Sequence, residues 1–224
     1  MAVNTINLEK FDINKIDIGD ICLIIGKRAT GKSILTKDIL HHNNYQNMPT
    51  GMVINVTESA TPFYNTFIPE TNIISKYNPK LFNAFVKKQT MAIETNKDTD
   101  INSNAYIVVD NAFYDNTWTK NKKIQELFSN TYNLKTLFII TSPYYLRMPS
   151  DMQSDIEYIF ILKETNVSDI KRLYDNYAKL FCSFGDFCKI MEQYTDDYNC
   201  LVIDNTTPNN RIESRVFLYK ADLH

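Results

Sequence analysis

Glycine and proline are scarce in this sequence, at five and seven of 224 residues. A chain so short of both has no flexible or proline-rich linker to divide it. No internal repeat or low-complexity block appears either, so a single domain over residues 1–224 is expected. No stretch approaches the run of about 18 apolar residues that a membrane span needs. The opening MAVNTINLEKFD lacks the basic and apolar regions of a secretory signal, so an intracellular protein without a membrane span is expected. Cysteine is confined to Cys22, Cys182, Cys188 and Cys200, with no C-x-x-C pair, and the three histidines, His41, His42 and His224, complete no ligand set with them. The cysteines read as reduced apolar filler rather than a metal site. An excess of charge is also missing. With 24 Lys and Arg against 26 Asp and Glu, the formal charge is -2, which excludes a polycation and confines any contact with nucleic acid to a local patch.

What the sequence does have is 44% hydrophobic and 12% aromatic content, enough for a substantial core. Short apolar, β-branched runs at 21–25, 52–56, 106–109, 137–140, 158–162, 200–203 and 215–219 predict strands. They are continuous rather than alternating, so most are expected to be buried on both faces. Segments of helical spacing lie between them, at 32–42, 79–95, 120–131, 168–181 and 184–194. Strands alternating with helices predict an α/β fold, a mainly parallel sheet with helices on both faces. The polar stretch 96–104 reads as a surface loop.

One motif carries specific chemistry. Gly26, Lys27, Arg28, Ala29, Thr30, Gly31, Lys32 and Ser33 fit G-x-x-x-x-G-K-[ST] directly after the apolar ICLII and directly before the helix-like ILTKDIL that begins at Ile34. That is the strand, loop and helix context of a phosphate-binding loop. The two glycines let the backbone curl so that successive N–H groups face phosphate oxygens, aided by the positive end of the following helix. Lys32 is expected at the β- and γ-phosphates of ATP, and the Ser33 hydroxyl on Mg²⁺. Such a loop needs a second acidic metal partner at the end of a neighbouring strand, and AYIVVDN supplies Asp110. The residue after it is Asn111, an amide that takes no proton at neutral pH, so an activating base must be sought elsewhere. Glu58 after the second long strand and Asp115 after Asp110 are the candidates. Thr141 and Ser142 close the run LFIITS, where a hydroxyl can sense a γ-phosphate or simply form the turn before Pro143.

These segments, with TESATPFYNTFIP, VVDNAFYDNTW, SPYYLRMPSDMQSDIEYIFILKE, KRLYDNYAKLF and YTDDYNCLVIDN, resemble the genome-packaging ATPases of large nucleocytoplasmic DNA viruses, within the FtsK/HerA superfamily. The resemblance covers nearly the whole chain. It implies a RecA-like P-loop NTPase domain that assembles as a homo-oligomeric ring and drives double-stranded DNA into a capsid. ATP and Mg²⁺ are the implied cofactors, with Gly31, Lys32, Ser33 and Asp110 as their ligands and Glu58 near the catalytic centre. Capsid or inner-membrane proteins of the virion are the implied docking partners, and the host cytoplasm and virion the implied locations.

The chain departs from that family at four places. Asn111 replaces a second acid, Asn130-Thr131-Tyr132-Asn133 replaces an asparagine, glycine, arginine, histidine stretch, Pro143 stands at a sensor glutamine, and Gln153 stands where an arginine precedes the next strand. Arg147, Arg172, Arg211 and Arg215 are the arginines available to act on a neighbour's nucleotide. Lys87-Lys88 and the lysines of 120–123 are candidate DNA contacts or plain solvated faces. Two other functions compete with the motor. One is an ATP-binding, weakly hydrolysing structural paralogue; the other, a nucleoside or small-molecule kinase, would need an arginine-rich lid that is not visible.

Overall fold

The apolar runs pair edge to edge in one nine-stranded sheet of a computed structural model that describes residues 7–55, 61–111, 118–209 and 211–224. In chain order the strands are β1 (Glu9–Lys10), β2 (Ile21–Ile25), β3 (Thr50–Asn55), β4 (Ile73–Ile74), β5 (Ala105–Asp110), β6 (Thr136–Ser142), β7 (Tyr158–Ile161), β8 (Asn199–Asp204) and β9 (Val216–Lys220). The helices are α1 (Lys32–His42), α2 (Thr61–Asn65), α3 (Pro79–Thr95), α4 (Lys122–Asn130), α5 (Ser150–Ser154), α6 (Val167–Tyr177), α7 (Phe184–Tyr194) and α8 (Ile212–Arg215). The sheet order is β1-β9-β8-β7-β2-β6-β5-β3-β4, parallel except where β8 meets β7 and β9. This is the α/β, mainly parallel architecture the alternating pattern predicts.

Strand periodicity divides the core into two layers. Ile21, Leu23 and Ile25 of β2, with Ala105, Ile107 and Val109 of β5, pack under α3 to α7 through Phe82, Ile124, Met152, Leu173 and Phe187. Cys22 and Ile24, with Tyr106 and Val108, face the other way, onto Leu35 and Ile39 of α1 and Tyr64 of α2. Both faces of the central strands are therefore buried, which explains their unbroken apolar runs.

The boundaries of α1, α3 and α7 are those the helical spacing predicts. Arg215 closes α8 instead of opening β9, and α6 ends at Tyr177, four residues before Phe181. The edge strands β1 and β4 and the short helices α2, α5 and α8 escape the sequence pattern because two to five residues hold too little periodicity to register.

Candidate nucleotide site

Site and sheet are linked by the order of four strands. β2, which delivers the phosphate-binding loop, is separated from β5, which delivers Asp110, by the later strand β6. Register sets Asp110 beside Thr141 across β5 and β6, and beside Asn55 across β5 and β3. Asp110 keeps the phase of Tyr106 and Val108, and Thr141 that of Leu137 and Ile139, so both side chains emerge on the α1 face, beside the loop. A two-residue alternation thus carries the acid and the loop to the same end and the same face of the sheet.

The loop is built by close approach. A Cβ on Gly26 would lie 2.5 Å from Thr30 Oγ1 and 2.7 Å from Leu162 Cβ, so no larger residue fits there. Gly31 caps α1 at φ +107, a region that glycine enters without steric cost, and it supplies no side chain to the helix end. By contrast, Asn78, Asn121, Asn166 and Ser183 cap α3, α4, α6 and α7 with side-chain acceptors. The first N–H groups of α1 are thereby left for a ligand, which is what an anion site at a helix N-terminus requires.

Lys32 is buried and folds back on its own loop, donating to the carbonyls of Gly26 (2.6 Å) and Lys27 (2.9 Å). Burial lowers the Lys32 pKa, and the negative charge of Asp110 opposes that shift. Asp110 is 1% exposed and held by three donors: the Tyr64 hydroxyl (3.0 Å), the Asn111 amide (2.9 Å) and the Thr141 hydroxyl. Burial, then the neighbouring carboxylate, pushes the Tyr64 phenol well above its ordinary range, so it stays a donor to Asp110. Asn111 adopts φ +53 and receives a backbone tie from its N–H to the Thr141 carbonyl (3.2 Å). Its Oδ1 is buried with no hydrogen-bond partner among the described residues.

A cleft of about 870 Å³ opens between these groups, lined by Arg28, Ala29, Gly31, Lys32, Ser33 and Ile34 of the loop and helix, and by Asp110, Asn111 and Pro143. Its far wall is Leu162, Tyr198, Cys200, Lys220, Ala221 and Leu223, with Tyr198 lying over Gly31 at 3.4 Å from where a Cβ would stand. Gly26, Lys27 and Thr30 shape the loop from behind. The Thr30 hydroxyl donates to the Lys27 carbonyl (2.8 Å), and the Lys27 ammonium pairs with Glu164 (2.6 Å). Glu58 and Asp115 lie outside the described residues. Of the four family departures, Asn111 and Pro143 line the cleft, whereas Gln153 donates to the Asn176 carbonyl (2.9 Å) and joins α5 to α6. Arg215 is engaged with Asp204 and Asn205 at the opposite edge of the sheet, and Arg172 pairs with Asp169 (3.3 Å). Arg147 is exposed in the loop that leaves the site end of β6.

Sequence reading missed Tyr64 and the far wall. A fully buried tyrosine needs a partner for its hydroxyl, which is a signal in principle, but burial is not visible without the fold.

No family profile matches the chain. It is 30% identical over 227 residues to the uncharacterized protein L437 of Acanthamoeba polyphaga mimivirus, covering 99% of this chain and 79% of that one. With the uncharacterized protein 088R of Invertebrate iridescent virus 3 the identity is 36% over 204 residues, covering 91% and 76%. The chain belongs to this family of large-DNA-virus proteins. Among solved structures, the genome packaging NTPase B204 of Sulfolobus turreted icosahedral virus 2, in complex with AMPPCP, superposes with a TM-score of 0.62 at 11% identity, over 92% of this chain and 100% of that one. The chain therefore has the RecA-like P-loop NTPase fold.

Proposed function

We propose that this chain is the ATPase of a viral motor that packages double-stranded DNA into capsids. The observation that carries the proposal is the site itself: an uncapped α1 N-terminus, Lys32 folded over the loop carbonyls, and Asp110 with Thr141 across the cleft, in the strand order of a P-loop ATPase. The fold shared with B204 over nearly the whole chain points the same way.

In this reading the triphosphate takes the N–H groups at the start of α1, and Lys32 exchanges its two carbonyl partners for phosphate oxygens. Ser33 and Asp110 would hold Mg²⁺, which would supply charge neutralisation at the phosphates. Asp110 fits that duty: among the described residues Oδ1 accepts from Thr141 and Asn111, while Oδ2 accepts from Tyr64 alone and keeps a lone pair for a further partner. The orphaned Asn111 Oδ1 accepts a hydrogen bond from the attacking water and orients it without removing its proton. Glu58 supplies the base and Arg147, from a neighbouring subunit of a ring, the charge-stabilising arginine. Exposed Lys87, Lys88, Lys120 and Lys122, on and beside the adjoining helices α3 and α4, offer a cationic face to DNA phosphates. Lys123 of the same group is already paired with Glu126. The work is done in the host cytoplasm, at the capsid.

The test is steady-state ATP hydrolysis with and without long double-stranded DNA. DNA-stimulated turnover abolished by Lys32→Ala supports the motor; turnover indifferent to DNA removes it. A second reading, an ATP-binding structural paralogue, is favoured by one observation, the amide of Asn111 where an acid would activate water. It takes over if ATP binds tightly and no hydrolysis is measurable.

A further inference from the structure

Two of the three histidines, which form no pattern with cysteine in the sequence, converge in space on one carboxylate, and the third, His41, lies against one of them. Asp38, in the middle of α1, is fully buried. Its Oδ2 accepts from the Tyr219 hydroxyl (2.6 Å) and the Asp222 N–H (3.3 Å). Its Oδ1 faces His224 Nε2 at 2.7 Å and His42 Nε2 at 3.5 Å.

The protonation of His42 follows from its other nitrogen. His42 Nδ1 lies 3.2 Å from Asn14 Oδ1, and the Asn14 amide is oriented because its Nδ2 donates to Asp12 Oδ1 (3.0 Å). Nδ1 must then carry a hydrogen. With Nδ1 held by Asn14, Nε2 is the ring nitrogen left to face a ligand, and it points at the Asp38 carboxylate. A ring N–H held by a carbonyl oxygen, with the second nitrogen free, is also how proteins orient a metal-binding histidine. The three ligand atoms lie within 4.8 Å of one another. Tetrahedral Zn²⁺ with bonds of about 2.0–2.1 Å asks for roughly 3.3 Å between ligand atoms, so the 2.7 Å between His224 and Asp38 would open by about 0.6 Å and any gap near the 4.8 Å limit would close by about 1.5 Å, through two partly exposed side chains. His41 stacks on His224, with ring centroids 3.8 Å apart and planes at 17°. Lys37 donates to the carbonyl of His224.

We infer that Asp38, His42 and His224 form a binding site for a divalent transition-metal ion, best matched by Zn²⁺, with a fourth position left to water. Two imidazoles and one carboxylate suit that ion and disfavour Mg²⁺, which prefers an all-oxygen shell. The ion would fasten the segment after β9 to the helix that begins at Lys32. Ala221 and Leu223 of this same segment line the far wall of the cleft, so metal occupancy would set how firmly that wall is held.

The experiment is titration of the nucleotide-free, 224-residue chain with Co²⁺ and Zn²⁺, followed by visible ligand-field absorption and calorimetry. One ion per chain is expected, with an absorption typical of four-coordinate Co²⁺ that Zn²⁺ displaces. His42→Ala and His224→Ala should each weaken binding by tenfold or more, and Asn14→Ala by about tenfold through loss of ring orientation. Lys32→Ala should leave it unchanged, which separates this site from the nucleotide site. Wild-type chain that binds no Co²⁺ at micromolar concentration overturns the inference, as does undiminished binding in a folded His42→Ala/His224→Ala double variant. If the histidine variants do not fold, the wild-type spectrum decides: absorption of an octahedral, all-oxygen type also overturns it.

Discussion

Lys32 and Asn111 are the two residues on which the proposed function turns. Lys32→Ala removes the charge that meets the phosphates, so affinity for Mg·ATP should fall at least about tenfold, equivalent to 1.4 kcal/mol, by calorimetry. Unchanged affinity would mean that the loop does not bind nucleotide. Asn111→Asp keeps an oxygen to orient the water and adds a carboxylate that can take its proton, so DNA-stimulated turnover should rise; a fall would show that the amide's bond to Asp110 matters more than an added base. At this scale the sequence was legible where chemistry is encoded in a contiguous motif. Gly26 to Ser33 and Asp110 could be read directly, because the loop's backbone geometry demands those residue types at fixed spacing. Tyr64, Tyr198 and the Asp38 cluster could not, since each depends on segments brought together only by the sheet.

At the scale of elements, helix ends separate structure from function. Asn166 accepts from the N–H groups of Ser168 (2.9 Å) and Asp169 (3.3 Å) and so closes the start of α6. Asn166→Ala should cost about 1 kcal/mol in chemical denaturation and leave ATP affinity unaltered. Loss of ATP affinity without loss of stability would mean that the start of α6 takes part in the site. Helices α1, α3 and α7 were legible to the residue because each is long, amphipathic or flanked by a cap, and the central strands because both faces are buried. The antiparallel pairing of β8 was not legible, since an apolar run carries no direction.

For the whole molecule, two acids that precede the central strands β2 and β7, at the end of the sheet away from the cleft, tie stability to pH. Burial raises Glu157 from 4.5 to about 7 and Asp20 from 3.8 to about 6, and Glu157 accepts from the Ile21 N–H (2.7 Å). Both folded values exceed the unfolded ones, so the folded chain holds more protons between about pH 4 and 7. Their contribution is full below that window and lost as pH rises through it. Glu157→Gln should flatten this decline, raising Tm more at pH 8 than at pH 4.5; an equal shift at both would remove Glu157 as the cause. A ring would show in light scattering as a defined oligomer with Mg·ATP and DNA, and monomers alone at micromolar protein would count against the motor. The placement of β2 has a further consequence, for synthesis of the chain. Its neighbours β6 and β7 lie roughly a hundred residues or more downstream, so at about 5–20 residues per second the ribosome releases the strand on the order of ten seconds before either can pair with it. During that interval ICLII is an apolar strand with both edges open, so a chaperone that covers it should raise the soluble yield of each round of translation.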